Sequence, residues 1–515
     1  MKHTLLVLAI IANSMIFAQV LKCDFSPSEG PKYDYFGSYN YGVVAEDDKY
    51  FYAMMDFAQK RDSKTLTISQ YDKLTLAIIK TQEIQPAFKS DKKVLVHSVR
   101  NIGGQLYFFQ VKASNNGVLV YAQKIGDDLK LNAETKCIDT LDITVTEDKG
   151  DDFVLSRVAI KSSSKSTKMA IYIAYNELSD KKDFAFKIFD KDLNTITKKK
   201  ISLPNKGTYF NLQDFVLEES ADVILLGKYT ASSLKETKNE PLQKSTYCVF
   251  QVKKDYKKVL EQELAIEGKS LKYIGLHNDE KNNRLVLGGF YATEDLGVNG
   301  SFFIFIDKST FAISTKNSKA FPANFLSKTS HFIGVDAENK YTIDKIVLNE
   351  NDEPILFAEL YYEIIMVKEN FSTYTTTYQH DVIVVAADKN GLTKWSVKLP
   401  KPCLMPWNYA LNPQYISLIS NDKIYVSFME DKKHLTAIDG YEVDKVMQAN
   451  VKLTPILVTI DKNGKATKTR FFSDPKDKTH MDPTLSAISS IPNTIYNWHY
   501  NFKKKNIQYR KISLK

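Results

Sequence analysis

An apolar run that stops at Asp-Lys, turns, and resumes as a shorter alternating run recurs along this chain, and few architectures accommodate such a pattern. It is plainest in "DVIVVAADKNGLTKWSVKLP" (381–400) and "PILVTIDKNGKATKTRFF" (455–472). It is also present in "SQYDKLTLAIIKTQEI" (69–84), "KIFDKDLNTITKKKISL" (187–203) and "FIDKSTFAISTK" (305–316). "FQVKKDYKKVLEQEL" (250–264) is a sixth copy with lysine in place of the aspartate, and "YAQKIGDDLKLNAET" (121–135) a weaker seventh. Two period-2 runs hinged by a tight polar turn form a β-hairpin, and Asp, Asn and Gly supply the backbone angles of the turn.

Upstream of each hinge lies a second hairpin. Its later arm reads "KYFYAMMD", "QLYFFQVKA", "KMAIYIAYNE", "DVILLGKYTA", "RLVLGGFYAT", "PILFAELYYE", "KIYVSFMED" and "TIYNWHYN". These arms begin near residues 49, 105, 168, 222, 284, 353, 423 and 493, a spacing of 54 to 70. Each unit is therefore strand A, tight turn, strand B, variable loop, strand C, tight turn, strand D. Repeated four-stranded antiparallel units predict an all-β fold, a single β-propeller of about eight blades over 19–515, with seven as the alternative. Strands B and C are near-continuously apolar, as expected for the middle of a blade covered on both faces. The eighth unit ends after its C strand, so residues 19–25 are expected to pair with residues 505–514, closing the ring and covering a bare sheet edge.

Residues 1–18 read as a secretory signal peptide: Lys2, an apolar stretch from Leu5 to Ile11, and a small-residue end at Ala18. The apolar stretch is shorter than the roughly 20 residues a membrane span needs. The expected address is therefore outside the cytoplasm, in the periplasm or at the cell surface, with no transmembrane segment in the mature chain. The net charge of +9 is spread along strands such as "TITKKKISLP", as on the wet face of a sheet. No nucleic-acid partner is expected. The four cysteines, Cys23, Cys137, Cys248 and Cys403, have no short spacing, so no metal site or redox motif is expected. Cys248, inside "STYCVFQV", reads as a buried thiol.

The A–B and C–D turns are short throughout, whereas the B–C connections of units 4, 6 and 7 (232–245, 361–380 and 430–452) are long, as is the D–A connection 401–413. Long insertions on one face mark the binding face of a repeat protein. The expected binding residues are Tyr361, Tyr362, Tyr374, Tyr378 and His380 of unit 6, Trp407 and Tyr409 of the D–A connection, and His434 of unit 7. Aromatic groups of this kind suit a glycan or a protein surface.

"ADKNGLTKW", with Trp395 four residues after Gly391, resembles the repeat of quinoprotein propellers. That family repeats the tryptophan in most blades, where it docks neighbouring blades. Here it stands once among three tryptophans, without an adjacent cysteine pair, so blade packing is what carries over to Trp395 and cofactor binding does not. The same stretch differs by one residue from the Asp-box spacing of sialidase-like propellers. There is no GxSxG elbow, HxH or HExxH, and "DKDLN" (190–194) lacks the glycine and distal Glu of a calcium loop. As a whole the chain resembles the large exported propeller proteins of Gram-negative bacteria, through runs such as "PILFAELYYE". No catalytic residue, metal or cofactor is expected. The expected function is non-catalytic recognition of a protein or glycan, by a monomer or a part of an envelope complex. The competing reading is a polysaccharide lyase or hydrolase at the channel mouth.

Overall fold

The structure is a computed structural model. It describes residues 25–514 apart from 35–38, 61–62, 85–93, 115–116, 142–157, 175–182, 203–208, 231–244, 256–258, 294–296, 324, 327–328, 333–334, 339, 368–372, 402–414, 432–452, 471–478 and 502–505. Its regular elements are all β-strands.

Eight antiparallel blades follow one another in A-B-C-D order. Their B strands are Tyr50–Lys60, Gln105–Ser114, Lys168–Ala174, Val223–Thr230, Arg284–Ala292, Pro354–Val367, Lys423–Asp431 and Thr494–Asn501. Every one begins within a residue of the position expected from the repeat. Among the described residues, apolar clusters fill each of the eight junctions between blades, including the seam between blades 8 and 1. The count is therefore eight, and the ring is closed.

Strand alternation explains the continuous apolar runs. In blade 6, Ile355, Phe357, Val382 and Val384 pack toward blade 7, while Leu356, Ala358, Ile383 and Val385 pack toward blade 5. Each central strand thus supplies two cores at once. The A strands are innermost: those of blades 7, 8, 1 and 2 touch in turn, as do those of blades 3, 4, 5 and 6, and together they line the axis of the ring.

The Asp-Lys turns do more than reverse the chain. In blades 6 and 7 the aspartate Oδ1 accepts from the N–H groups two and four residues later: Asp388 from Asn390 and Leu392, and Asp461 from Asn463 and Lys465, all at 2.9 Å. Turn carbonyls are in turn capped by donors from the preceding blade. Tyr107 OH donates to Lys191 O (2.7 Å), Arg284 Nη1 to Lys389 O (3.3 Å), and Trp395 Nε1 to Lys462 O (2.9 Å). The repeated motif is an inter-blade latch as well as a turn, and Trp395 is a blade-docking residue.

Ring closure differs in register from the expectation. The strand that completes blade 8 is Phe25–Glu29, with Phe25 opposite Leu514 and Glu29 opposite Arg510. It shares only Phe25 with segment 19–25, and residues 19–24 lie outside the described residues. On an outer edge Pro27 forfeits no ladder bond. Gly30 follows, its N–H donating to Tyr509 O at 3.0 Å, and a Cβ there would lie 2.6 Å from Leu76 Cβ. The seam is packed with aromatics: Phe51 stacks on Tyr71 and Tyr496 at 4.8 and 4.5 Å between centroids. Cys137 and Cys248 are both free thiols, and Cys248 is buried.

Candidate functional site

The long B–C connection of unit 6 is not a loop. Strands Pro354–Val367 and Thr373–Ala387 stay paired well beyond the blade. The A strand stops at Lys340, opposite Tyr361, and the D strand at Leu399, opposite Val382. From the pair Tyr362–Tyr378 to the pair Val367–Thr373 the two strands pair with each other and, among the described residues, with no other strand. Six such pairs make a ribbon about 20 Å long. The residues responsible are "EIIMV" and "TYTTTY", β-branched and aromatic types that favour a pleated strand. A short hairpin, Thr329–Phe332 with Val335–Glu338, lies against the same B strand.

The register places Tyr362 opposite Tyr378 and Tyr374 opposite Met366. Positions 362, 374 and 378 therefore fall on one face of the ribbon and position 361 on the other. His380 stands at the ribbon's root, its Nδ1 2.6 Å from Asp381 Oδ1. The structure thus brings five of the expected residues onto one hairpin. Trp407, Tyr409 and His434 lie outside the described residues.

Beside this root is a group of charges that the sequence reading missed. Asp344 is the bulged residue of the blade 6 A strand, between the pairs Ile343–Ala358 and Lys345–Phe357. A bulge re-aims a side chain: Asp344 keeps a solvent-facing surface on the innermost strand of blade 6 while surrounding protein displaces much of the water from its carboxyl. Tyr415, at the start of blade 7, donates its hydroxyl to Asp344 Oδ2. Next to Asp344, Lys345 Nζ donates to Ser417 O at 2.8 Å, tying blade 6 to blade 7. Glu359 and Lys401 form a buried pair at 2.5 Å. Crowding by protein pushes the Asp344 carboxyl up to about 7, and the Glu359 charge adds to the rise; Tyr415, Lys401 and Lys345 oppose it. Burial also lowers Lys345 to about 8 and raises Glu359. The signal available was an acid standing inside an apolar strand: Asp344 in "YTIDKIVL" and Glu359 in "PILFAELYYE".

A carboxyl raised in this way titrates against stability. Between about pH 4 and pH 7 the folded chain binds more protons at Asp344 than the unfolded chain. Its contribution to stability therefore falls as pH rises through that window. The Tyr415 hydroxyl favours the charged form, so Tyr415→Phe should move the Asp344 midpoint upward. Carboxyl-carbon NMR titration reads this directly, and a midpoint that stays or falls would contradict the assignment.

Among the described residues no group of three or more His, Cys, Asp or Glu side chains is disposed to hold a metal ion, and no helix is long and apolar enough to cross a membrane.

Neither a protein-family profile nor a curated protein sequence matches the chain. Among solved structures it is similar to the quinohemoprotein alcohol dehydrogenase ADHIIG from Pseudomonas putida HK5, at 10% identity over 95% of this chain and 76% of that one, with a TM-score of 0.45. It is also similar to the polysaccharide lyase Uly1, at 10% identity over 95% and 94% of the two chains and a TM-score of 0.37. The β-propeller domain of the Trilobed protease from Pyrococcus furiosus matches 71% of this chain and 93% of its own, at 9% identity and a TM-score of 0.33. The eight-bladed assignment rests on this chain's own sheet order.

Proposed function

We propose that this chain is an interaction propeller, exported by residues 1–18, that binds a protein partner through the blade 6 ribbon. The observation that carries the reading is the run of six strand pairs extending past the blade with, among the described residues, no further strand hydrogen-bonded to them. Among the described residues no strand pairs with the outer edge of Thr373–Ala387, the template that β-strand addition uses, while the hairpin of Thr329–Phe332 and Val335–Glu338 lies against the other strand. The register puts the tyrosine positions 362, 374 and 378 on one face of the ribbon, a residue type suited to partner contact. Replacing residues 363–377 by a short Gly-Ser turn removes the ribbon and leaves the four-stranded part of blade 6. In pull-downs from envelope extract, the partner held by the intact chain should be lost with this variant while its thermal midpoint is retained. Equal recovery of the same partner from both forms would refute the ribbon as the site.

A second reading has its own observation. Asp344, partly open to solvent and with its carboxyl raised to about 7 by surrounding protein, together with Tyr415 forms a carboxyl–phenol pair suited to general acid–base work near neutral pH. On this reading the channel wall acts on a polysaccharide by elimination or hydrolysis. Chain cleavage of polysaccharide by the intact protein, abolished in Asp344→Asn, supports it; cleavage surviving that substitution rules it out.

A further inference from the structure

Each blade guards its outer edge. The outermost strand carries at least one charged residue in all eight, from Lys80 and Glu83 of Ile78–Ile84 to the three consecutive lysines of Thr195–Ser202, and the closing strand Phe25–Glu29 adds Pro27 to Glu29. Charges and proline on an edge strand deter pairing with another chain. The ribbon departs from this pattern. Within blade 6 the D strand covers Thr373–Ala387 only as far as Val382, and among the described residues no strand pairs with the same edge farther out. Beyond His380 and Asp381 at the root, the uncovered stretch "TYTTTYQ" (373–379) has no charged residue, proline or glycine. Threonine and tyrosine are types that favour a paired strand, so nothing in this edge deters a partner.

The same stretch is nearly symmetric about Thr376. Thr375 and Thr377 flank it, Tyr374 and Tyr378 come next, and Thr373 and Gln379 stand at the ends. An antiparallel pairing of two copies centred on Thr376 sets position 375 opposite 377 and position 374 opposite 378, threonine against threonine and tyrosine against tyrosine. Shifting the register by one or two residues either way sets tyrosine against threonine instead. Aromatic pairs and Thr–Thr pairs directly opposite each other stabilise antiparallel strands. The other ribbon strand, Pro354–Val367, has the hairpin of Thr329–Phe332 and Val335–Glu338 against it. Pairing of one edge with its own copy closes a two-fold dimer and uses up that edge in both chains, so it does not propagate into a filament.

We propose that the partner of the ribbon is a second copy of this chain: residues 373–379 of two chains pair antiparallel about a two-fold axis at Thr376, and the two ribbons merge into one four-stranded sheet. This rests on the reading of the ribbon as an interaction surface and names what it binds.

Sedimentation equilibrium of the intact chain over a concentration series tests the pairing, and a monomer–dimer equilibrium is expected. Thr376→Lys sets two lysines directly opposite each other and should weaken the dimer about three- to fivefold, as should Thr376→Glu. Mixing the two variants in equal amounts sets lysine against glutamate and should restore dimerisation, a recovery that misfolding cannot produce. Register is read separately by oxidation with diamide. In Thr376→Cys the two Cα atoms would lie about 4.5–5.5 Å apart, within disulfide reach, so a covalent dimer beyond that of the unsubstituted chain is expected. In Thr373→Cys the copies would lie about 20 Å apart, and none is expected. A monomeric intact chain, a dimer that survives replacement of residues 363–377 by a Gly-Ser turn, or no recovery on mixing would each overturn self-pairing. A monomer that still holds a different envelope protein through the ribbon would overturn self-pairing alone and leave the ribbon as the interaction surface.

Discussion

Glu430→Leu is expected to destabilise the fold by about 3–5 kcal/mol, because it removes the carboxylate paired with a buried ammonium. Glu430 lies on the B strand of blade 7 and Lys468 on the D strand Ala466–Arg470; Lys468 Nζ is 2.8 Å from Glu430 Oε2, with side chains 1% and 0% exposed. The register places both on the side of blade 7 that packs on blade 6, the face that also carries Val426 and Val458. Burial already lowers the Lys468 pKa, and the Glu430 charge and hydrogen bond hold it up. Without the carboxylate the Lys468 charge loses its ion-pair partner in an apolar seam, and that cost falls on the folded state. The double variant Glu430→Leu/Lys468→Met removes both charges and keeps similar volume, so it should recover most of the loss. Equilibrium urea denaturation reads all three chains. A single variant as stable as the parent would mean that solvent reaches the pair; a double variant no better than the single would mean that Glu430 acts through its other contacts.

That pair also marks where sequence reading stops. The blades were legible because their signal is periodic and redundant: eight apolar B strands, and a polar C–D hinge in seven of the eight units. "KIYVSFMED" and "PILFAELYYE" betray Glu430 and Glu359 as acids inside central strands, yet their partners Lys468 and Lys401 lie 38 and 42 positions on, joined only by the folded sheet. Asp344 was hidden for another reason. Its exposure depends on a one-residue bulge, and a bulge breaks the alternation from which a strand's faces are read. The ribbon was mistaken for a loop because its threonines look polar, although threonine is β-branched and suits a solvated strand. The closing strand was displaced because Pro27 counts against a central strand but not against an edge.

Gly464→Ala should cost about 2–5 kcal/mol, from two separable sources. Gly464 has φ +82°, a left-handed conformation that costs an L-residue about 1–2 kcal/mol. An added Cβ would also lie 2.8 Å from Trp395 Cγ and 2.9 Å from Cδ2, and overpacking of this kind costs about 1–3 kcal/mol. Gly104 isolates the first source, since it has φ +87° and an added methyl there would meet nothing within 4 Å; Gly104→Ala should cost only about 1–2 kcal/mol. The packing term belongs to the latch between blades 6 and 7. Trp395 lies against the glycine while its Nε1 donates to Lys462 O within the same turn, so the indole cannot retreat without giving up that bond. Gly391 repeats the arrangement one blade earlier, where a Cβ would lie 3.2 Å from Phe303 Cβ and 3.3 Å from Phe305 Cζ. A double-mutant cycle separates the two terms. In a Trp395→Leu background the indole is gone, and Gly464→Ala should cost no more than Gly104→Ala does in the parent. An undiminished penalty there would assign the whole effect to backbone conformation and leave the tryptophan a passive neighbour. A reduced one makes the Asp-Lys-Asn-Gly turn a docking element in which aspartate shapes the loop, glycine admits the ring, and the ring joins one blade to the next.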